Sequence, residues 1–317
     1  MSRHRVHVIA IAAVVGLSAL LMACGDDGGG SSTTKGKLRV VATTVQIEAL
    51  AREVGGDLID LHGVVPAGAD AHEFEPTASD LAAIEDADVI LRHGIELDDW
   101  LDGTLSAARD AELTVVTSGI ELHEGEAHHE EEEGGEEEEH EGQDPHVWHD
   151  PANAKIMVQN IAAALAAADP PNGEAYEANS TAYQQTLDET KQQVQAIIDE
   201  IPAANRKLVT NHDAFGYFAR AFGLEVVGAV IPSLSTEAEP SASDTAALLD
   251  TIDAEGVRAI FAESSVNPAL ARTLASDAGI LIVDDLYGDS LGEEGSGAET
   301  LDGMLLFNAR KIAEALK

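Results

Sequence analysis

The 317-residue chain carries 58 acidic and 18 basic side chains, which give it a formal net charge of -40. This charge argues against nucleic acid as a partner, because proteins hold phosphate backbones mainly through lysine and arginine. The single cysteine excludes an internal disulfide and a zinc site built from cysteines. The length predicts two domains, and any metal site must use histidine, aspartate and glutamate.

The N-terminal residues have the pattern of an export signal. Two arginines precede an apolar run that ends at Cys24, and a transmembrane anchor is the alternative, although the run is barely long enough to cross a bilayer. The sequence LMAC at 21–24 resembles a bacterial lipobox. We therefore expect residues 1–23 to be a signal peptide, Cys24 to be lipidated, and residues 24–36 to be a flexible tether on the extracytoplasmic face of the cell membrane.

From residue 37 onward, short apolar runs alternate with longer amphipathic segments, as in βα units with parallel strands. In the region 37–172, strands are predicted at 38–43, 59–65, 89–93 and 113–116, and helices at 46–54, 79–86, 97–109 and 152–168. In the region 202–317, strands are predicted at 208–210, 225–230, 259–262 and 280–283, and helices at 214–222, 242–254, 268–278 and 300–316. No glycine-rich phosphate loop follows a predicted strand, which argues against nucleotide chemistry.

Between these regions, residues 173–201 form one polar-rich stretch with apolar side chains at helical intervals, which predicts a single long helix. The predicted fold is therefore α/β. It has two lobes, each a mostly parallel four-stranded sheet flanked by helices, and the long helix joins them.

An acidic, histidine-rich loop is predicted at residues 121–143. Residues 121–144 contain 13 acidic side chains and four histidines but no basic residue, a composition that favours a solvated, self-repelling loop. Histidines among carboxylates also suit weak, exchangeable binding of divalent cations. We therefore expect this loop to have a role related to metal.

Four segments place a metal-ligating side chain at the edge of the predicted sheets, where α/β proteins bind ligands. They are DAHEFEP at 70–76, DPHVWHDP at 144–151, NHDAFGYF at 211–218 and DLYGDSLG at 285–292. A single histidine near a turn is more often a surface or capping residue than a ligand. Three such histidines together with an acidic segment predict a metal site.

These segments, with STEAEPSA at 235–242 and the long helix, resemble the zinc- and manganese-binding lipoproteins of bacterial ABC transporters over nearly the whole chain. The resemblance implies that His72, His146, His212 and Asp289 bind one metal ion in the cleft between the lobes. It also implies partners, namely an ABC permease and its ATPase, to which the ion is delivered. A monomer without enzymatic activity is expected.

Other residues near these motifs leave alternatives open. His149 stands where such proteins usually have an apolar residue, so it competes as a ligand, with a place beside the site or at the surface as the alternative. Asp284 and Asp285 lie close to the proposed fourth ligand and compete with it. Roles beside the ligands or in lobe packing are expected for Glu73, Glu237, Glu239 and Glu263. Packing roles that shield the cleft are expected for Trp148, Phe215, Tyr217 and Phe218.

Three neutral imidazoles and one carboxylate suit Zn²⁺ in tetrahedral geometry, whereas Mn²⁺ prefers more oxygen ligands. Zinc is therefore the expected ion, and a manganese-binding protein of the same type is the alternative. A zinc hydrolase is a second hypothesis, because zinc with three histidines and a bound water is a catalytic arrangement. Coordination by Asp289 would leave no position for that water. An extracellular metal buffer or adhesin without transport is a third hypothesis.

Overall fold

The computed structural model describes residues 36–105, 111–125 and 142–317, and the structural statements below concern these residues. Two four-stranded sheets lie in the compact unit formed by residues 37–317. The first has the order β2-β1-β3-β4 and the second the order β6-β5-β7-β8, with parallel pairing throughout. The strands are β1 (Leu38–Ala42), β2 (Ile59–Gly63), β3 (Val89–Arg92), β4 (Glu112–Val115), β5 (Lys207–Thr210), β6 (Glu225–Ala229), β7 (Ala259–Glu263) and β8 (Leu281–Leu286).

Helices flank both sheets, so the predicted α/β fold is confirmed. The α-helices of the described ranges are α1 (Val45–Gly55), α2 (Ala78–Asp86), α3 (Asp102–Leu105), α4 (Pro151–Ala168), α5 (Gly173–Ile198), α6 (Gly216–Phe222), α7 (Ala242–Glu255), α8 (Ala269–Ala278) and α9 (Leu301–Leu316). None of the helices in these ranges has the length and hydropathy that crossing a membrane requires. The predicted signal peptide, Cys24 and nearly all of the tether lie outside the described residues.

Alternating side chains divide the apolar interior into three clusters, because neighbouring residues of a strand point to opposite faces of the sheet. In β1, Val40 belongs to the largest cluster, whereas Val41 packs with Ile84 of α2 in a smaller one. In β5, Leu208 belongs to the largest cluster, and Val209 packs with residues of α7 and α8. The largest cluster therefore continues from one sheet to the other and ties both lobes into one core.

The long helix α5 lies within this shared core. Its 26 residues correspond to a length of about 39 Å, and it packs against α1 and α4 of the first half and α9 of the second. Its buried face includes Tyr183, whose hydroxyl donates to Asp302 Oδ1 of α9 at 2.9 Å. The single joining helix predicted for residues 173–201 is thus confirmed, whereas the exact domain limits stay a prediction.

The helix predicted for residues 97–109 is the main departure from the sequence-based elements. The structure has a 3-10 turn at Asp99–Leu101 and then the short helix α3, and residues 106–109 are outside the described ranges. The cause is the buried carboxylate of Asp98, which accepts hydrogen bonds from the backbone of His93 and Gly94 at 2.6 and 2.9 Å. These bonds hold a tight loop after β3 and delay the start of the helix.

The N-termini of helices α2, α4 and α7 are capped by side chains. Thr77 and Asp80 form a capping box at the start of α2, and Ser241 and Asp244 form one at the start of α7. Asp150 caps α4, where Pro151 occupies the favourable first turn. Each cap satisfies backbone N-H groups that the helix cannot, and it fixes where the preceding loop must end.

Candidate metal centre

Four loops from both sheets bring the predicted ligands together. His72 lies between β2 and α2, and His146 directly precedes the 3-10 turn that leads into α4. His212 follows β5 by two residues and Asp289 follows β8 by three, at the carboxyl ends of parallel strands where α/β folds bind ligands. One ligand atom from each of the four side chains lies within 4.8 Å of the others.

Asp289 is at the centre of the four side chains. Its Oδ1 lies 3.1 Å from His146 Nε2, and its Oδ2 lies 3.1 Å from His212 Nε2 and 3.3 Å from His72 Nε2. The side chains of Asp289, His146 and His212 are completely buried, whereas that of His72 is 9% exposed. The three Nε2 atoms therefore converge on one carboxylate, and His72 forms the side of the site nearest to solvent.

The buried polar atoms at this centre face one another at distances of 3.1–3.3 Å. His72 Nε2 and both carboxylate oxygens of Asp289 are buried and make no hydrogen bond of good geometry within the described residues. Buried polar atoms of this kind are rare, since each costs free energy when it is removed from water unpaired. A cation placed between them would satisfy all three atoms at once.

Two further carboxylates contact the outer nitrogens of the imidazoles. Asp144 Oδ1 lies 2.7 Å from His146 Nδ1 and also accepts from the His146 backbone N-H at 2.9 Å. Glu263 Oε1 lies 2.7 Å from His212 Nδ1, at an angle poor for a hydrogen bond, so this contact acts mainly through charge. A carboxylate at Nδ1 orients the ring and leaves Nε2 free to bind a metal, and Glu263 thus lies beside a proposed ligand.

Asp144 was not singled out from the sequence, although a signal for it exists. The spacing Asp-x-His contains two of the proposed ligands, at 70–72 and at 144–146. In both places Oδ1 of the aspartate accepts a hydrogen bond at 2.9 Å from the backbone N-H of the histidine two residues later. A short carboxylate before a histidine thus holds the backbone of a proposed ligand in each of these loops.

Charge inside the site shifts the pKa of three of its groups. Burial opposes protonation of His146, but Asp289 and Asp144 outweigh it and raise its pKa to about 9. Burial likewise opposes protonation of His212, yet Glu263 and Asp289 raise its pKa well above the usual value. The neighbouring imidazoles hold the pKa of Asp289 well below its usual range, although burial favours the neutral acid. The site therefore favours positive charge in its centre.

His149 is not at the surface, and that alternative is wrong. Its ring is completely buried and stacks on Phe215 with centroids 4.8 Å apart. Burial lowers its pKa to about 3 and the charge of His146 acts in the same direction, although the charge of Asp289 favours the proton. Neither ring nitrogen makes a hydrogen bond of good geometry with the described residues, and His149 is not part of the ligand group.

The competing acids near Asp289 are held elsewhere. Asp284 Oδ2 lies 2.6 Å from Arg272 Nη2, and Asp285 Oδ2 lies 2.5 Å from Lys311 Nζ. Three other acidic residues were expected beside the ligands or in lobe packing. Their side chains are exposed, namely those of Glu73, Glu237 and Glu239. The predicted packing residues are confirmed as buried, namely Trp148, Phe215, Tyr217 and Phe218.

A cavity of about 430 Å³ borders His72, the most exposed of the four residues. Trp100, Leu234 and Glu237 line it, together with Gln143 at the end of the acidic loop. Gln143 forms an isolated antiparallel bridge with Glu124, so the chain before residue 126 is paired with the chain after residue 141. Residues 126–141, with three of the four histidines, lie outside the described residues, and the metal-related role of the loop stays a prediction.

Residues 40–315 match the family described as ZnuA, zinc-uptake complex component A, periplasmic. The chain belongs to this family. It is 33% identical over 310 residues, 96% of this chain and 97% of the relative, to the manganese ABC transporter substrate-binding lipoprotein PsaA of Streptococcus pneumoniae. It is 34% identical over 307 residues, 94% of each chain, to the iron ABC transporter substrate-binding lipoprotein MtsA of Streptococcus pyogenes serotype M1.

Solved structures agree with this assignment. The periplasmic zinc-binding protein TroA from Treponema pallidum superposes with a TM-score of 0.79 at 30% identity, covering 89% of this chain and 99% of TroA. The Mn-bound periplasmic metal-binding protein of Candidatus Liberibacter asiaticus superposes with a TM-score of 0.77 at 25% identity, covering 89% and 100%. The chain is thus the substrate-binding protein of a metal ABC transporter, with a permease and an ATPase as implied partners. It is not an enzyme, and the hydrolase hypothesis is set aside.

Proposed function

We propose that this protein captures Zn²⁺ outside the cytoplasm and delivers it to the permease of its ABC importer. The ion is held by Nε2 of His72, His146 and His212 and by the carboxylate of Asp289. The observation that supports this most is the convergence of these atoms within 4.8 Å, with both oxygens of Asp289 facing imidazole nitrogens at 3.1 Å. Three of the four side chains are completely buried and only His72 is partly exposed. Such a site suits capture and release of an ion from the side of His72.

The donor set supports zinc over the other ions. Three imidazole nitrogens and one carboxylate match the tetrahedral coordination of Zn²⁺, with Zn-N distances of about 2.0–2.1 Å. The relatives' names point to manganese, iron and zinc, so the names do not decide the matter. Because Mn²⁺ prefers oxygen ligands, a site with three nitrogens is better suited to zinc.

Manganese is the second candidate, and one feature of Asp289 favours it. Both carboxylate oxygens face imidazoles, at 3.1 Å from His146 and 3.1 Å from His212. A carboxylate that bound through both oxygens would bring the ligand number to five, which suits an ion with a preference for oxygen. The choice therefore depends on whether Asp289 binds through one oxygen or two.

Calorimetric competition between Zn²⁺ and Mn²⁺ on metal-free protein tests the choice of ion. We expect one tight zinc site that excess Mn²⁺ does not fill. A protein that prefers Mn²⁺ over Zn²⁺ under these conditions would contradict zinc as the physiological ion.

Alanine variants of the four residues test the ligand set. His72→Ala, His146→Ala, His212→Ala and Asp289→Ala should each weaken zinc binding far more than His149→Ala, which removes a buried ring that is not part of the ligand group. A His149→Ala variant as impaired as the others would mean that the ligand set is wrong.

The proposed location depends on Cys24, the last residue of the LMAC motif. We propose that this cysteine is lipidated and that the protein acts as a monomer anchored to the extracytoplasmic face of the cell membrane. The relatives PsaA and MtsA are named lipoproteins, which supports the anchor. Light scattering on the purified protein tests the monomer, and a dimer mass would contradict it.

A further inference from the structure

The loop that carries His72 is held to the second lobe by two hydrogen bonds that involve no side chain of a proposed ligand. The backbone N-H of Gly68 donates to Ser290 Oγ at 2.5 Å. The hydroxyl of Thr236 donates to Asp70 Oδ2 at 2.7 Å. Both bonds cross the cleft between residues that are more than 160 positions apart in the sequence.

Asp70 connects one of these bonds directly to the ligand. While its Oδ2 accepts from Thr236, its Oδ1 accepts from the backbone N-H of His72 at 2.9 Å. One carboxylate therefore holds the backbone of a proposed ligand and the opposite lobe at the same time. Thr236 is 9% exposed, so its hydroxyl is largely shielded from water, whereas Asp70 is partly exposed.

On the second lobe, Thr236 belongs to a segment that is itself fixed beside another ligand. The backbone N-H of Asp213, the residue after His212, donates to the Ser233 carbonyl at 3.0 Å. The backbone N-H of Ser235 then donates to Ser233 Oγ at 3.0 Å. A continuous path thus runs from His212 through Ser233 and Thr236 to Asp70 and His72, and the path does not pass through the ion.

We propose that Asp70 and Thr236 are positioning residues that form a clasp across the cleft and limit how fast the bound ion leaves. The inference rests on His72 being a ligand, as proposed above. Because His72 is the ligand nearest to solvent, release begins when its loop moves away from Asp289. That movement must break the bond between Asp70 and Thr236 together with the coordinate bond, so the clasp slows the first step of release.

Zinc release measured by stopped flow tests the clasp, with the zinc-loaded protein mixed with excess chelator. Thr236→Val removes the hydroxyl but keeps the shape, and it should speed release about tenfold, the lower end of the range for groups that support a ligand. Thr236→Ser restores the hydroxyl and should release at the parent rate. Thr273→Val is the matched control, because the Thr273 hydroxyl donates to the Ala269 carbonyl of its own helix α8.

A second pair of variants tests the path through Asp70. Asp70→Asn keeps an oxygen for the His72 backbone and an amide that can donate to the Thr236 hydroxyl, so release should stay near the parent rate. Asp70→Ala should speed release at least as much as Thr236→Val. Combining Asp70→Ala with Thr236→Val should give no further increase, because the two groups act through the same bond.

Comparing the unfolding midpoints of the metal-free variants with their rates of zinc release distinguishes an effect on release from a general loss of stability. A Thr236→Val variant that unfolds more easily but releases zinc at the parent rate would overturn the proposal. His72→Ala is measured alongside. If His72→Ala still binds zinc as tightly as the parent, the proposed ligand set is wrong. If His72→Ala loses zinc while Thr236→Val releases it at the parent rate, only the clasp is wrong.

Discussion

Glu263 Oε1 lies 2.7 Å from His212 Nδ1, and both side chains are completely buried. The other oxygen of the same carboxylate, Oε2, accepts from the backbone N-H of Asp289 at 3.2 Å. Glu263 therefore contacts two of the four proposed ligands from behind. A buried carboxylate in this position orients an imidazole, raises its affinity for a cation and fixes the loop that carries the acidic ligand.

Glu263→Gln should weaken zinc binding by about 10- to 100-fold, because the amide keeps the volume but loses the charge that acts on His212. Calorimetric titration at neutral pH measures the change. Glu239→Gln is the control, since Glu239 is exposed and lies outside the ligand group. If both variants bind zinc like the parent, Glu263 does not support the site.

Gly288→Ala should weaken zinc binding in the same way, although position 288 is not a ligand. A Cβ atom at this position would clash with the Glu263 carboxylate, so the carboxylate must shift from its present position beside His212. Gly173→Ala is the matched control, because a Cβ there would meet Ala166 at ordinary distances, 3.5 Å from its Cβ and 4.0 Å from its Cα. Parent affinity in Gly288→Ala would show that Glu263 can shift without effect.

Zinc binding should release protons at about pH 7.5. With an unperturbed histidine pKa of about 6.5, affinity would drop only at acidic pH. In the metal-free protein, however, the pKa of His146 is raised to about 9 and that of His212 lies well above the usual value. Both rings then carry protons that the ion must displace, so affinity should fall as the pH falls from about 9.

Titration in buffers of different ionisation enthalpy measures the protons released. Protein with the substitution His149→Leu should release the same number, because the pKa of His149 is lowered to about 3 and its ring is already neutral. Binding that releases no protons at about pH 7.5 would contradict the raised pKa values.

His149→Leu should stabilise the metal-free protein without changing its zinc affinity. The ring is buried with no hydrogen bond of good geometry to the described residues, and removing such nitrogens should raise the free energy of unfolding by about 1 kcal/mol. The folded-state pKa of His149 is lowered to about 3, so below about pH 6.5 the unfolded chain binds a proton that the folded chain does not. The free energy of unfolding of the parent therefore decreases as the pH falls below about 6.5. The decrease should be smaller in the variant.

Urea unfolding at about pH 7.5 and pH 5 measures both effects on His149→Leu. The difference between the two midpoints should be smaller in the variant than in the parent. An equal difference would mean that His149 takes up its proton in the folded state as readily as in the unfolded state.

Cys24→Ala should release the protein from the membrane and leave zinc binding intact. The cysteine precedes the predicted tether, and stable anchoring requires the acyl chains that a lipidated N-terminal cysteine carries. Ser31→Ala, within the same tether, should remain anchored. Fractionation of cells that express the variants measures this, and a Cys24→Ala protein that stays with the membrane after signal cleavage would contradict the lipid anchor.

Much of the fold followed from local patterns in the sequence. The apolar strands and amphipathic helices alternate with a regularity that βα units require, and the long polar stretch with helical spacing became α5. The ends of helices and strands differ from the predicted ones where a side chain competes with regular structure. Asp98 does so after β3, because its carboxylate accepts hydrogen bonds from backbone N-H groups. Such competition depends on which residues become buried, and short-range patterns do not contain that information.

The sequence by itself determined the candidate ligands, because His72, His146, His212 and Asp289 stand in motifs that resemble a known family. Tertiary structure decided what surrounds them. Glu263 reaches His212 from β7, and Thr236 reaches Asp70 across the cleft, pairings that bring together residues far apart in the chain. His149 lies three residues from His146, yet its ring stacks on Phe215, a residue far away in the sequence. Proximity in space, burial and the resulting charge come from packing, and packing is a property of the whole chain.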